Sequence, residues 1–412
     1  MNKIYTLKNG LKVVFYQDKS KHIVIANLFV KFGGNNKKFK ENNKEYIIKD
    51  GTAHFLEHLL IEHSIYGNSL VEFEKNYTIS NGFTTRKTTE FYINTVDNYK
   101  EEIVKLINIV NKPNFTKEDV EETRKAIIKE KMMSKDKYFL ELEKITYNSL
   151  FKNIKFPNTL GEVKDIETIS YDEIKKCYDI FYQPKNQILI ISGNFDIKEM
   201  EKLIEDTYKK INKKNINYEI EEIKESNEIV KKYDAISKDV HMNYVSLNYK
   251  INISNLSNIE QIKLTFYIMY YLDTILGPSS KTYSDMVKNN ICTYNMNLGF
   301  EKIDEFLIIK IGNNTNQDDK LIEKIIEVLN KRETDKKMFE MKKKESIIRL
   351  ILREDNLFNM LEPFIENIIE YDYYEMDKIK DIEKQTYEEY KEIIDKLDFN
   401  NYSITKIIKE ES

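Results

Sequence analysis

The chain has 412 residues, of which 41% are hydrophobic and 33% charged. This composition is typical of a globular protein with a highly charged surface. The chain is too long to form a single hydrophobic core of ordinary size, so two or more domains are expected. The 65 basic and 69 acidic side chains leave a net charge of −4, which gives no electrostatic case for nucleic acid as a partner.

Targeting and redox signals point to a cytoplasmic protein that has no membrane partner. The N-terminal residues contain no apolar run of signal-peptide length, and no stretch approaches the roughly 20 apolar residues that span a bilayer. Cys177 and Cys292 lie far apart and form neither a CxxC pair nor a disulfide framework. Such cysteines suit a reducing compartment.

The first half of the chain mixes strands with helices. Two strands are predicted around an Asn9-Gly10 turn, followed by a strand in "HIVIANLFVKFGG" and a polar connection over 35–50. A helix is predicted from near Gly51, and a strand pair in "FTTRKTTEFYINTV". Three helices are predicted next, in "YKEEIVKLINIV", "TKEDVEETRKAIIKEKMM" and "YDEIKKCYDIFY". A buried strand in "NQILIISGNFD" and a helix in "IKEMEKLIEDTYKKI" end the first half.

The second half repeats the approximate order of these elements. A strand in "MNYVSLNYKI", helices in "IEQIKLTFYIMYYLDTIL" and "SSKTYSDMVKNN", strands in "ICTYNMNLGF" and "DEFLIIKIG", several helices and a final strand are predicted. The fold class is therefore α+β, with two similar domains that each consist of a mostly antiparallel sheet covered by helices. The predicted domains are 1–215 and 235–412, joined by a charged linker over 216–234.

The stretch "GTAHFLEHLLIEHS" carries the clearest chemistry. On a helix that turns about 100° per residue, Glu57 lies at about −60° and His58 at about +40° from His54, so the three share one face. Two neutral imidazoles at this spacing can bind one zinc ion, with the glutamate placed to accept a proton from zinc-bound water. A catalytic zinc usually has three protein ligands, so another His, Asp, Glu or Cys must come from elsewhere in the chain.

Two neighbouring residues fit this site less well. His63 lies at about 180° from His54, on the opposite helix face, and is expected to act as a C-terminal cation or a core contact. Glu62 follows His58 by four residues and could hydrogen-bond its ring, although a solvated side chain is the commoner outcome at such a position. The structural alternative for the whole motif is a surface helix with paired Glu-His contacts.

The motif and its flanks resemble the pitrilysin/insulinase family of zinc metallopeptidases, the HxxEH inverzincins, which include the mitochondrial processing peptidases. "GTAHFLEHLL" resembles the active-site helix of that family, and "SNGFTTRKTTEFY" its Asn-Ala-x-Thr stretch. "NKPNFTKEDVEETRKAIIKEKMM" resembles its second active-site helix. "GEVKDIETISYDEIKKCYDIFYQPKNQILIISGNFD" resembles the region before the end of its first domain, and "LGPSSKTYSDMVKNNICTYNM" is a weaker match to its second domain.

The resemblance implies a ligand set and a reaction. His54, His58 and Glu130 would bind Zn²⁺, with Glu130 lying 72 residues after His58, and Glu57 would be the general base. Glu121 and Glu122 are the alternative third ligands. Members of the family bind the substrate as an added strand, and Asn81 would lie beside the receiving sheet edge, unless it is only a turn residue before Gly82.

Two positions depart from the family pattern. Thr123 stands where the family usually has a second glutamate, seven residues before the ligand. In the second domain the family has an arginine and a tyrosine that hold the substrate carbonyl; the candidates here are Lys288 and Tyr294, and a lysine lacks the planar fork of arginine. These two residues could equally be a surface lysine and a strand tyrosine.

The leading hypothesis is a zinc endopeptidase that acts on peptides or unfolded segments. Since the chain corresponds to one half of the longer family members, it is expected to form a homodimer, or a heterodimer whose partner supplies the carbonyl clamp. A non-catalytic scaffold subunit is the alternative from another class. A protease that removes leader peptides is a narrower form of the enzyme hypothesis.

Overall fold

The computed structural model describes residues 2–133, 138–211, 213, 215–294, 296–354, 356–375 and 377–410. The strands are β1 (Asn2–Thr6), β2 (Lys12–Gln17), β3 (Val24–Val30), β4 (Lys38–Glu41), β5 (Lys44–Ile47), β6 (Ile79–Thr84), β7 (Thr89–Thr95), β8 (Gln187–Gly193), β9 (Tyr233–Lys238), β10 (Asn243–Asn252), β11 (Asn297–Ile303), β12 (Phe306–Thr315) and β13 (Tyr402–Lys409).

Helices connect these strands, together with a short 3-10 turn at Pro184–Asn186. The helices are α1 (Thr52–Glu62), α2 (Ser69–Glu74), α3 (Tyr99–Asn111), α4 (Lys117–Met133), α5 (Tyr138–Leu150), α6 (Val163–Ile166), α7 (Tyr171–Phe181), α8 (Ile197–Lys209), α9 (Asn258–Leu276), α10 (Lys281–Lys288), α11 (Asp318–Lys331), α12 (Lys336–Glu354), α13 (Leu357–Tyr371), α14 (Lys378–Glu383) and α15 (Tyr387–Lys396).

The chain divides into two units. The first comprises Met1–Asp136 and Pro157–Glu222, and the second comprises Lys137–Phe156 and Ile223–Ser412. The predicted linker over 216–234 spans the change of unit at 222/223, whereas residues 137–156, placed by the sequence pattern in the first domain, group with the second unit. The predicted domain limits of 1–215 and 235–412 stay a prediction.

Both units contain a sheet of the same design. Among the described residues, the sheet of the first unit has the order β1-β2-β8-β3-β7-β6 and that of the second unit β11-β12-β10-β13-β9. All neighbours are antiparallel except β2 with β8 and β9 with β13, which are parallel. The matched orders confirm the predicted α+β class with two similar, mostly antiparallel sheets.

The core of the first unit lies on one face of its sheet. Alternate residues of the central strands point to this face, as a period of two requires, and helices α1, α3, α7 and α8 supply the apolar side chains that cover it. Core members include Phe15, Ala26, Leu28, Phe55, Leu59, Phe91, Ile107, Ile174, Leu189, Ile191 and Ile204.

Helix α1 is buried almost all round. Thr52 to Glu57 and Leu59 to Ile61 are buried, so the helix carries polar groups into the interior together with its apolar ones. The chain enters α1 at Gly51, whose φ is 88° and where a Cβ atom would lie 3.0 Å from the Leu160 carbonyl oxygen. A glycine is required there by both the left-handed conformation and the close approach.

Several elements differ from the sequence-based expectation. The predicted polar connection over 35–50 contains the β4–β5 hairpin, in which Phe39 stacks on Tyr46 with ring centroids 5.0 Å apart. The predicted strand "ICTYNMNLGF" begins as a strand only at Asn297. Helices α2 and α5 and strand β9 were not predicted. No helix among the described residues has both the length and the apolar character needed to span a bilayer.

Candidate metal centre

Helices α1 and α4 bring the predicted ligands together. Arg124 of α4 fixes their relation: its guanidinium lies over the Phe55 ring of α1, 5.6 Å from the ring centroid. The same guanidinium donates hydrogen bonds to the carbonyl oxygens of Ile166 and Ile169. This side chain therefore holds α4 against α1, against the last residue of α6 and against the segment that follows it.

The two histidines converge on one carboxylate oxygen. Nε2 of His54 lies 3.7 Å from Oε2 of Glu130, and Nε2 of His58 lies 3.5 Å from the same oxygen. The imidazole rings have centroids 4.6 Å apart and are nearly perpendicular. All three candidate ligand atoms lie within 4.8 Å of one another.

This donor set fits a zinc ion. Bonds of about 2.0–2.2 Å in a tetrahedron place ligand atoms about 3.4 Å apart, close to the two separations to Glu130. Two imidazole nitrogens and a carboxylate oxygen leave a fourth position open, as in catalytic zinc sites. The same donors also suit several other transition metals.

The two imidazoles differ in their surroundings. Burial lowers the pKa of His54 to about 4, helped by the neighbouring His58. Burial also acts to lower the pKa of His58, but hydrogen bonds to Glu130 and Glu62 overcome it and raise the pKa to about 9. Since only a neutral imidazole binds metal, His58 would have to lose a proton at neutral pH to act as a ligand.

Glu57 is buried on the same face of α1. It is 5% exposed, and burial raises the pKa of its carboxyl to about 7 despite a hydrogen bond from Thr84. The Thr84 hydroxyl donates that bond to Oε2 of Glu57 across 2.7 Å. A carboxyl with a pKa near 7 can take up and release a proton at neutral pH, as a general base must.

Glu62 is hydrogen-bonded to the site, contrary to the solvated side chain that its position favours. Its Oε1 lies 2.9 Å from Nδ1 of His58, and its Oε2 accepts a hydrogen bond from the Thr123 hydroxyl at 3.5 Å. The bond from His58 is the main reason that the pKa of Glu62 lies below its usual range. Thr123, the departure from the family pattern, is 1% exposed and contacts the site through Glu62.

His63 lies outside this cluster. It caps the C-terminus of α1, and its Nδ1 lies 3.1 Å from Oδ1 of Asp119. The other oxygen of Asp119 accepts hydrogen bonds from the backbone N–H and the hydroxyl of Thr116. Glu122 also has a carboxylate oxygen within 4.8 Å of these two groups. The hydrogen bonds from Thr116 hold the Asp119 carboxylate in place as part of the capping box that begins α4.

Asn81 is exposed on β6, an edge strand of the first sheet. Among the described strands, β6 pairs only with β7. The Asn81 side-chain oxygen accepts a hydrogen bond from the Gly82 N–H at 2.9 Å. Gly82 lies directly against the site, because a Cβ atom there would be 3.3 Å from Cγ of Glu57. The edge strand and the candidate base are therefore neighbours.

Lys288 and Tyr294 belong to the second unit. Lys288 is the last residue of α10 and is exposed. Tyr294 lies in a bend before β11, not in the predicted strand, and is 83% exposed. Their role as a carbonyl clamp stays a prediction.

Thr84 contacts the candidate base, and the sequence did not single it out. It lies in the stretch "SNGFTTRKTTEFY", and on a strand it shares a face with Gly82. That alternation could have placed Thr84 on the side of the sheet that faces α1. Its link to Glu57 depends on tertiary packing between α1 and β6.

Comparisons with known proteins place both halves of the chain in one peptidase family. Residues 12–161 match the model of the insulinase family, peptidase family M16, and residues 168–345 match that of the M16 peptidase inactive domain. The uncharacterized zinc protease YmfH of Bacillus subtilis is 26% identical over 327 residues, which cover 78% of this chain and 76% of YmfH.

Two further proteins extend the comparison. The beta subunit of the mitochondrial processing peptidase of Saccharomyces cerevisiae is 28% identical over 208 residues, 47% of this chain and 41% of that protein. The crystal structure of an M16-like peptidase from Alicyclobacillus acidocaldarius superposes with a TM-score of 0.89 at 21% identity, covering 100% of this chain and 98% of that one. The chain belongs to the pitrilysin/insulinase family of peptidases, family M16.

Proposed function

We propose that the protein is a zinc-dependent endopeptidase that hydrolyses peptides or unfolded segments. The observation that carries the proposal is the convergence of His54 and His58 on one oxygen of Glu130, with the buried Glu57 on the same helix face. The names of relatives as zinc proteases support it. A bound zinc ion would supply a polarised water molecule at the open coordination position.

The chain's own residues account for the remaining steps. Glu57, whose pKa is raised to about 7 by burial, accepts the proton of the attacking water and returns it to the leaving amine. The edge of β6 that pairs with no other described strand accepts the substrate as an added strand, so that backbone hydrogen bonds give affinity. Asn81 on that edge would then release Gly82 and contact the substrate.

We further propose that the active form is a dimer. The related mitochondrial processing peptidase protein is named as a subunit. In addition, Lys288 is a poor substitute for an arginine that hydrogen-bonds a carbonyl oxygen. A homodimer uses Lys288 and Tyr294 as they stand, whereas in a heterodimer a second family subunit supplies the clamp. Efficient cleavage by the purified chain as a monomer would contradict both forms.

A non-catalytic binding subunit is the second candidate. The match of residues 168–345 to a domain described as inactive favours it, as does Thr123 in place of a glutamate. The presence of His54, Glu57, His58 and Glu130 together argues against a binding subunit, because a scaffold has no physical need for these groups. Removal of leader peptides in the cytoplasm is a narrower enzyme proposal; the two free, buried cysteines suit that compartment.

The test is a Glu57→Gln variant assayed against a mixed peptide library by mass spectrometry. The zinc-loaded parent should cleave, and the variant should lose cleavage while keeping its zinc, since glutamine cannot accept the proton. Glu74→Gln, at an exposed position at the end of α2, is the matched control and should cleave like the parent. Unchanged cleavage by Glu57→Gln would refute the assigned base.

A further inference from the structure

Glu62 connects a candidate zinc ligand to the second helix of the site. One carboxylate oxygen lies 2.9 Å from Nδ1 of His58, and the other lies 3.5 Å from the Thr123 hydroxyl of α4. An ionised carboxylate only accepts hydrogen bonds, so both partners donate. The Glu62 side chain is 30% exposed and that of His58 23%, so both groups are partly withdrawn from water.

This arrangement decides which nitrogen of His58 can bind a metal. With its proton on Nδ1, the neutral ring presents the lone pair of Nε2, which lies 3.5 Å from Oε2 of Glu130. His54 has no such support, because its buried Nδ1 has no hydrogen-bond partner among the described residues. The centre therefore has one ligand that is oriented by a carboxylate and one that is oriented by packing.

The same carboxylate also bridges the two helices that supply the ligands. His58 and Glu62 lie on α1, whereas Thr123 and Glu130 lie on α4. Thr123 is 1% exposed, so its hydroxyl is held in place by packing. A carboxylate with a hydrogen bond at each oxygen is restricted in its rotation, which restricts the His58 ring relative to α4.

We propose that Glu62 is a positioning residue of the metal centre, acting through His58 and itself fixed by Thr123. The proposal rests on the proposed zinc site and adds to it a residue outside the HxxEH motif and its third ligand. An ordinary exposed ion pair contributes little free energy. A carboxylate that orients a metal-binding histidine typically changes metal affinity by about 10–100-fold.

The experiment measures zinc affinity of the metal-stripped full chain by competition with a chromophoric chelator. Glu62→Ala should weaken zinc binding by about 10–100-fold, and Glu62→Gln should recover part of the loss because its amide oxygen still accepts from Nδ1. Thr123→Val should have a smaller effect. Glu74→Ala, an exposed glutamate of α2, is the control and should bind zinc like the parent.

A double variant separates positioning from a general structural role. If Thr123 acts through Glu62, Glu62→Ala combined with Thr123→Val should bind zinc no more weakly than Glu62→Ala alone. In ¹⁵N NMR spectra of the metal-free chain recorded above pH 9, where a pKa of about 9 leaves the His58 ring neutral, the parent should show His58 with its proton on Nδ1, and Glu62→Ala should lose that preference.

Zinc affinity of Glu62→Ala within twofold of the parent would overturn the proposal. Additive losses in the double variant would overturn the role of Thr123. Either result would leave the proposed function standing if the parent binds zinc and Glu57→Gln abolishes cleavage. A parent that binds no zinc would instead refute the proposed function itself.

Discussion

The hydroxyl of Thr84 donates a hydrogen bond to Oε2 of Glu57 across 2.7 Å. Thr84 ends the edge strand β6, and Glu57 lies in the middle of α1. The bond therefore joins the candidate base to the strand that is proposed to receive substrate. It also lowers the pKa of Glu57, against the larger effect of burial, which raises it to about 7.

Replacing Thr84 should change the pH dependence of cleavage. Thr84→Val removes a hydrogen bond to the ionised carboxylate, so the pKa of Glu57 should rise further and the acid limb of the kcat/KM profile should move to higher pH. The expected shift is on the order of one pH unit. Thr84→Ser keeps the hydroxyl and should retain the parent profile. Superimposable profiles for the valine and serine variants would show that the bond does not tune the base.

Gly82 provides a test of packing beneath the site. A Cβ atom there would lie 2.8 Å from Cδ1 of Ile61, 3.1 Å from the Glu90 carbonyl oxygen and 3.3 Å from Cγ of Glu57. Gly82→Ala should lower cleavage by about tenfold with zinc retained, because overpacking of about 1–3 kcal/mol displaces the base.

The control for this change is another strand glycine. Among the described residues, a Cβ atom at Gly299 of β11 would meet only the Lys310 side chain, at 3.5 Å or more. Gly299→Ala should therefore leave both cleavage and thermal stability close to those of the parent. An active Gly82→Ala enzyme would mean that Glu57 has room to move without loss of function.

Lys250 should be essential for the stability of the second unit. Its side chain is 0% exposed, and its ammonium donates to the carbonyl oxygens of Leu150, Ser226 and Glu228 at 2.8, 2.7 and 3.3 Å. Lys250→Met leaves these acceptors without their donor, and the free energy of unfolding should fall by on the order of 3 kcal/mol. Urea denaturation measures the change. Lys231→Met, at a side chain that is 54% exposed, should cost less than 1 kcal/mol; equal losses would contradict the assignment.

Glu90 should make the folded chain less stable as the pH rises. It is 5% exposed with one hydrogen bond from Asn27, and burial raises the pKa of its carboxyl from 4.5 to about 7. The folded state therefore binds the Glu90 proton more tightly than the unfolded state does. This difference adds to the free energy of unfolding at acid pH. That contribution is lost as the pH rises through 7.

A glutamine at position 90 should remove this dependence, since its side chain resembles the protonated acid. Glu90→Gln and the parent should unfold at similar urea concentrations at pH 5. At pH 8 the variant should be more stable by on the order of 2 kcal/mol. Parallel stability curves between these pH values would show that Glu90 is ionised in the folded chain throughout.

Local signals in the sequence predicted much of the fold. The Asn9-Gly10 turn and the alternating strands depend on neighbouring residues, and both are present. The elements that were missed depend on distant contacts. Strand β9 is held by parallel pairing with β13, some 170 residues later, and α5 groups with the second unit although it lies within the first half of the sequence.

The site shows the same division between local and distant contacts. Helical spacing alone places His54, Glu57 and His58 on one face, and it separates His63 from them. The position of Glu130 followed only from the family resemblance, because no local pattern distinguishes one glutamate of a charged helix from another. Contacts between elements, such as Thr84 with Glu57 and Glu62 with Thr123, required the packed structure.

Zinc content is the most direct test of the claim that His54, His58 and Glu130 form a metal centre. Chains purified with zinc and dialysed should contain about one zinc ion each by mass spectrometry, and Glu130→Gln should contain far less. Glu121→Gln and Glu122→Gln, on the same helix, should keep the parent content, since Glu121 pairs with Arg124 and Glu122 lies near His63. A parent without zinc, or a Glu130→Gln variant with full zinc content, would contradict the assignment.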